Sequence, residues 1–302
     1  MVREVTYSKI ISPEEFNRIN TEEHLYIKVS DAVIVKFIEE IRKKLGRNIE
    51  VVEIGCGPAR ILGEIAKIKN INLTAIDHDK DFVAYARKKV KGAEVKVADI
   101  ETYNHGKPVD VFYSQGVHHH IAKPPKYFQN IRKQLNNNGI FILSDEFLPN
   151  YNSEEERRLR AVIWYSHIIS HAQKNNHKIL AQEEAKTLLD ELNTEIDESR
   201  IKTEEQINLV LSQVDIIDEE ARKGNVSRAE IIVKKFLNNL SKIYNYKQSG
   251  DPTLDLSRGD YKICDKVFRE EIKSAGFTVE KFKAVGPIDS IGAMVVYVLK
   301  KK

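Results

Sequence analysis

Three carboxylates and two glycines are the residues best suited to do chemistry in this chain. Glu53 stands just before Gly55 and Gly57 in VEIGCGPARILGEIA, where a hydrophobic run turns into a helical one. Glycines permit positive φ and let a ligand come close to the main chain. A phosphate-binding loop needs a lysine followed by Ser or Thr after its last glycine, and a dinucleotide turn needs a third glycine where this chain has Arg60. Neither pattern is met, and Gly63 comes too late. A carboxylate aimed into such a turn repels pyrophosphate and suits a cation, such as a ligand carrying an amino group and a sulfonium. Asp77, closing LTAID, and Asp99 with Ile100, closing VKVADI, follow at the ends of later apolar runs.

A second set is rich in histidine. HHH at 118–120 invites a metal reading, but adjacent residues point in different directions, so consecutive imidazoles rarely share one ion; no metal is expected. His119 and His120 follow an apolar run, and Asp145 and Glu146 end another. These carboxylates either orient a substrate amine and take a proton through histidine, or cap a helix. His167 and His171 lie one helical turn apart beside Trp164 and Tyr165, without the glutamate of a zinc-protease pattern. They form either a polar helix edge or a helix over the crevice, with Trp164, Tyr165, His167 and His171 lining an acceptor pocket.

The elements that must position these residues follow from periodicity. Residues 1–48 read as a helical cap: Ser12, Pro13 and Glu15 form a capping box, and a second helix over 31–45 carries Val33, Phe37, Ile41 and Leu45 on one stripe. Over 49–150, the short runs IEVVEI, INLTAI, AEVKVA, VDVFYS and GIFILSD alternate with amphipathic helices, predicting parallel βαβ units. Residues 151–255 show only helical stripes, with capping-box starts at Ser153, Thr203 and Ser227. Over 256–302 a helix, CDKVFREEIKSAG, precedes two strands, FTVEKFKAV and GAMVVYVLKK. The expected fold is α/β, a doubly wound, seven-stranded, mostly parallel sheet with a C-terminal antiparallel hairpin and a large helical insertion.

With the motifs in this order, the chain resembles the class I S-adenosylmethionine-dependent methyltransferases over roughly 49–148 and 260–300. E-x-G-x-G resembles motif I of that family. DVFYSQGVHHHI resembles its fourth-strand motif, Asn138-Gly139 stands where it often has two glycines, and FREEIKSAGF leads into its terminal hairpin. The resemblance implies that Glu53, Gly55, Cys56, Gly57, His78 and Gln115 line the cofactor. It implies further that Asp77 binds the ribose hydroxyls and that Asp99 and Ile100 hold the adenine. His119, His120, Asp145, Glu146 and His167 are then the candidate catalytic groups, and the product is S-adenosylhomocysteine.

Composition narrows the acceptor. The net charge is only +3, with 48 basic and 45 acidic residues interspersed; a nucleic-acid or membrane surface usually needs a one-signed patch. SQGV replaces the Asn/Asp-Pro-Pro-aromatic motif of base amino-group methylation, and KPPKY lies past the histidines. Two distant cysteines, no apolar leader and no apolar run of membrane length point to the cytoplasm. The leading expectation is methyl transfer to O, N or C of a small molecule, such as a natural product, under a helical lid. The alternatives are a protein or peptide methyltransferase, or a non-catalytic cofactor-binding interaction protein. A homodimer through the amphipathic helices stays open.

Overall fold

The computed structural model describes residues 8, 11–22, 25–121, 124–157, 160–161, 164, 219–220, 223–225, 228, 261–285, 288 and 292–302. The helical stripes, the Thr203 and Ser227 starts, Tyr165, His167 and His171 lie outside these.

Helix α1 (Pro13–Glu22) begins as its sequence dictates: Ser12 Oγ accepts the Glu15 N–H at 3.1 Å. Helix α2 (Leu25–Leu45) starts earlier than the stripe alone predicts. Then follow β1 (Ile49–Ile54), a short α3 (Leu62–Ile65), β2 (Ile71–Asp77), α4 (Lys80–Lys89), β3 (Ala93–Val97), β4 (Val109–Gln115) and α5 (Pro124–Gln134). Strand β5 spans Leu135–Phe147, and α6 (Asp265–Ser274), β6 (Phe277–Val285) and β7 (Ala293–Lys301) complete the core.

These strands make one sheet in the order β3-β2-β1-β4-β5-β7-β6. The first five pair in parallel, while β7 runs antiparallel to both β5 and β6. This is the seven-stranded, mostly parallel sheet with a terminal antiparallel pair that the alternating pattern predicts. The inner strands β1, β4 and β7 are buried at nearly every position because helices cover both faces. On one face Val51, Leu73, Ala75, Val111 and Ile142 pack against α2, α3 and α4. On the other Val52, Ile54, Phe112, Phe141 and Tyr297 pack against α5 and α6. Asn138-Gly139, standing where the resembled family often has two glycines, lies within β5. Leu135 pairs with Val109 and Ile140 with Val111, so Asn136 to Gly139 bulge out of register.

Where the chain leaves the sheet after β5, Ser153 Oγ accepts the Glu156 N–H at 3.1 Å and starts a helical turn over 154–157. Arg157 is buried in that turn. Its guanidinium lies over the Tyr261 ring, 4.0 Å from the centroid, and Nη1 donates to the Lys262 carbonyl at 3.4 Å. Leu148 N–H donates to the Ile263 carbonyl at 3.0 Å. The departing and returning chain are thus tied to each other beside β5. Among the described residues no helix is long and apolar enough to cross a membrane.

Candidate functional site

Strand order reverses between β1 and β4, and in open α/β sheets the carboxyl ends at such a switch form the binding crevice. The turn leaving β1 is held by two donors, Gly55 N–H and Cys56 N–H, both to the Ile76 carbonyl at 2.8 and 3.1 Å. Gly55 (φ +66°) and Gly57 (φ +47°) adopt the left-handed region. A Cβ at Gly55 would stand 2.5 Å from Val117 Cγ2, so the loop after β4 is seated directly on this turn. A Cβ at Gly57 would meet nothing within 4 Å, leaving open space over the main chain there.

Around the turn the groups are acidic and enclosed. Asp77, at the end of β2, accepts Gly57 N–H through Oδ2 and Asp79 N–H through Oδ1, each at 2.8 Å. Burial raises its pKa, and these two bonds oppose the rise. Cys56 is buried and free, and burial pushes its thiol up. Glu53 is the extreme case: it is 2% exposed, Oε2 has no hydrogen-bond partner, and desolvation lifts its carboxyl to about 8 despite the nearby Tyr113 hydroxyl. An orphaned buried carboxyl is costly, and such groups concentrate where a ligand completes them.

The other expected cofactor residues are placed as follows. His78 is exposed, with Nδ1 3.6 Å from Asp77 Oδ1. Asp99 is exposed and accepts the Glu101 N–H at 2.7 Å, while Ile100 is buried in the α5 face of the core. Gln115 accepts from Arg60 and donates to Ser30 of α2; Arg60 also pairs with Asp31. Helix α2 is therefore pinned over the carboxyl end of β4.

Across the switch, the three histidines diverge as their spacing requires. His118 is buried among Tyr127, Phe128 and Phe268, with Nε2 3.2 Å from Glu271, a packing role. His119 Nδ1 is hydrogen-bonded to Asp145 Oδ1; since an ionised carboxylate only accepts, Nδ1 carries the proton. The His120 ring lies against that of His119, 3.9 Å between centroids. Asp145, buried, also accepts His118 N–H at 2.6 Å and Glu146 N–H at 2.7 Å. Burial would raise its pKa, but His119, His118 and the amide donors more than offset this and hold it well below the carboxylate range. Among the described residues no group of three His, Cys, Asp or Glu could hold a metal.

Three residues escaped the sequence reading. Lys262 is buried with Nζ 2.9 Å from Glu146 Oε2, and Tyr261 N–H donates to the His119 carbonyl at 2.7 Å. Tyr113 is the register partner of Glu53. No periodic signal marks them: β4 is buried at nearly every position, and Lys262 lies in an irregular stretch. Trp164 is enclosed, its ring stacked where a Cβ at Gly292 would go, 2.5 Å from Cε3.

Comparison with known proteins bears on this geometry. A family model described as a methyltransferase domain matches residues 45–206. "Putative methyltransferase 235L" of Invertebrate iridescent virus 6 is 28% identical over 101 residues, 30% of this chain and 37% of that protein. The chain thus spans little more than a third of the curated relative it matches. Among solved structures, the plantazolicin methyltransferase BpumL, in complex with a pentazolic desmethylPZN analog and SAH, is similar at a TM-score of 0.51 and 12% identity, with 95% of this chain and 90% of that one covered. A TehB-like SAM-dependent methyltransferase from Corynebacterium glutamicum is 21% identical over 36% of this chain and 61% of its own, at a TM-score of 0.32.

Proposed function

Because the chain belongs to the methyltransferase-domain family, we propose that it transfers a methyl group from S-adenosylmethionine to an atom of a small molecule, with His119 on the acceptor side. The carrying observation is the enclosed Glu53 carboxyl, with Oε2 unpartnered, next to a glycine turn that is open at Gly57. A cationic amino-acid end fits that donor set, and a pyrophosphate does not. Glu53, Gly55, Gly57 and Asp77 would hold the cofactor, with Gln115, His78, Asp99 and Ile100 around it. When bound, the sulfonium supplies an already activated methyl and a neutral leaving group.

The chain's own residues then have two tasks. The first is alignment: a methyl acceptor held in line gains most of its rate from proximity and orientation. The second is proton removal, needed where the acceptor is a hydroxyl or a protonated amine. Asp145 fixes the His119 tautomer with Nδ1 protonated, so Nε2 is the basic nitrogen, and the buried carboxylate stabilises the imidazolium that forms. Glu146, paired with Lys262, stands next to Asp145 and shapes the same rim. A small acceptor, rather than a nucleic acid, agrees with the near-balanced basic and acidic composition of the chain.

The test has two stages. S-adenosylmethionine and S-adenosylhomocysteine should raise the melting temperature of the purified protein. Transfer of labelled methyl to members of a small-molecule library should then depend on His119 and Asp145. Stabilisation by neither compound overturns the reading; stabilisation without transfer to any small acceptor, but with labelling of proteins or peptides, overturns its acceptor half.

A further inference from the structure

Glu53 and Tyr113 face one another from adjacent strands: they are register partners on β1 and β4, on the sheet face covered by α2 and α3. Both are buried, and neither Glu53 Oε2 nor the Tyr113 hydroxyl makes a hydrogen bond of normal geometry, although the hydroxyl lies close enough to oppose the rise of the Glu53 carboxyl. Two adjacent polar groups left open inside a core are expensive, and one alone would be unusual.

The ionisable groups nearest the pair are acidic. Asp77 faces the pair from β2 and Cys56 from the turn, and both add negative potential when ionised. His78 is beside Asp77 but exposed. From α2, Asp31 is paired with Arg60 of the turn, which also holds Gln115, and Lys28 senses Arg60. Among the described residues no cation is paired with Glu53, and we read the missing partner as a ligand's, which is the part of the argument resting on the donor-site reading above.

We propose that Tyr113 is a positioning residue of the donor site, and that Glu53 releases its proton on donor capture while Tyr113 holds the carboxylate that forms. In the ligand-free protein Glu53 is a neutral carboxylic acid beside the phenol. On entry of a cationic amino group the Glu53 O–H bond breaks, and its proton leaves to solvent. The ligand ammonium keeps its own protons, and the Tyr113 O–H donates to the bare carboxylate. Cofactor capture is then linked to pH through a group on β1, independent of any base on the acceptor side. The direction agrees with the burial of Glu53, which lifts its carboxyl to about 8, and with the opposing influence of Tyr113.

Isothermal titration of S-adenosylhomocysteine into the full chain, in buffers of different ionisation enthalpy, counts the protons released. At pH 7 the count should approach one, and affinity should rise about tenfold per unit between pH 6 and 8. Glu53→Gln should abolish the release. Tyr113→Phe should weaken binding at pH 7 and move the pH midpoint upward, because the bare carboxylate loses its donor. Binding by the wild type with no proton release, or a Tyr113→Phe pH profile superimposable on the wild type, overturns the pair alone. Absence of any S-adenosylhomocysteine binding overturns the donor-site reading, and this proposal with it. The buffer dependence is read on the unmodified protein, so poor folding of a variant does not protect the idea.

Discussion

Gly55→Ala tests whether the turn and the loop after β4 are fitted to each other. The backbone there has φ +66°, and the added methyl would stand 2.5 Å from Val117 Cγ2 and 3.3 Å from Cγ1. The left-handed conformation costs a non-glycine residue about 1–2 kcal/mol, and forcing a methyl into a filled space adds about 1–3 kcal/mol. Urea denaturation of ligand-free protein should therefore show a loss of about 2–5 kcal/mol. The two parts separate in a double-mutant cycle. Val117→Ala removes both offending methyl groups, so Gly55→Ala in that background should cost only about 1–2 kcal/mol, the backbone share. Gly57→Ala is the control, since at φ +47° its methyl meets nothing within 4 Å and should cost only the backbone share. A Gly55→Ala loss under about 0.5 kcal/mol, or one unchanged by Val117→Ala, would refute the fit.

The carboxylates supply the remaining predictions. Asp145→Asn should slow methyl transfer by about a hundredfold or more while leaving S-adenosylhomocysteine affinity nearly intact, read from kcat and calorimetry. Its folded carboxyl lies below the unfolded value, so its stabilisation is present above about pH 4 and fades as pH falls further; denaturation series from pH 5 to 3 should be flatter for Asp145→Asn. Glu53 has the opposite sign. Its folded carboxyl is raised from 4.5 to about 8, so ligand-free stability declines as pH rises between those values, by about 3 kcal/mol at pH 7. Glu53→Gln should therefore melt higher than the wild type at pH 8 while binding the cofactor more weakly, and equal melting at pH 5 and 8 in the wild type would refute this. Asp77→Ala removes the acceptor for Gly57 N–H and should weaken S-adenosylmethionine binding at least tenfold, about 1.4 kcal/mol, in the same titration.

What could be read in advance was whatever is local. IEVVEI and FTVEKFKAV coincide with β1 and β6 to the residue, because a short apolar or alternating run between turn residues carries its own signal. The Ser12 N-cap likewise needs only neighbours in sequence. The missing information is the pairing of distant segments. His119 finds Asp145, and Tyr113 finds Glu53, through strand register, which buried strands apolar on both faces do not reveal. Asn136 to Gly139 read as a turn but bulge within β5, since pairing with Val109 and Val111 on either side overrides the local preference. Lys262 is the plainest case: charged residues signal surface, yet this one is buried against Glu146.

The Arg157 clamp makes the sheet indifferent to the length of what lies between its two sides. Departure after β5 and return before α6 occur within one side-chain reach, with Arg157 over Tyr261 and against the Lys262 carbonyl. The entropy of closing that long connection is met at its base, and closure cost grows only slowly with length. A change of length engineered between those two points should therefore leave the pairing of β5 with β7 intact.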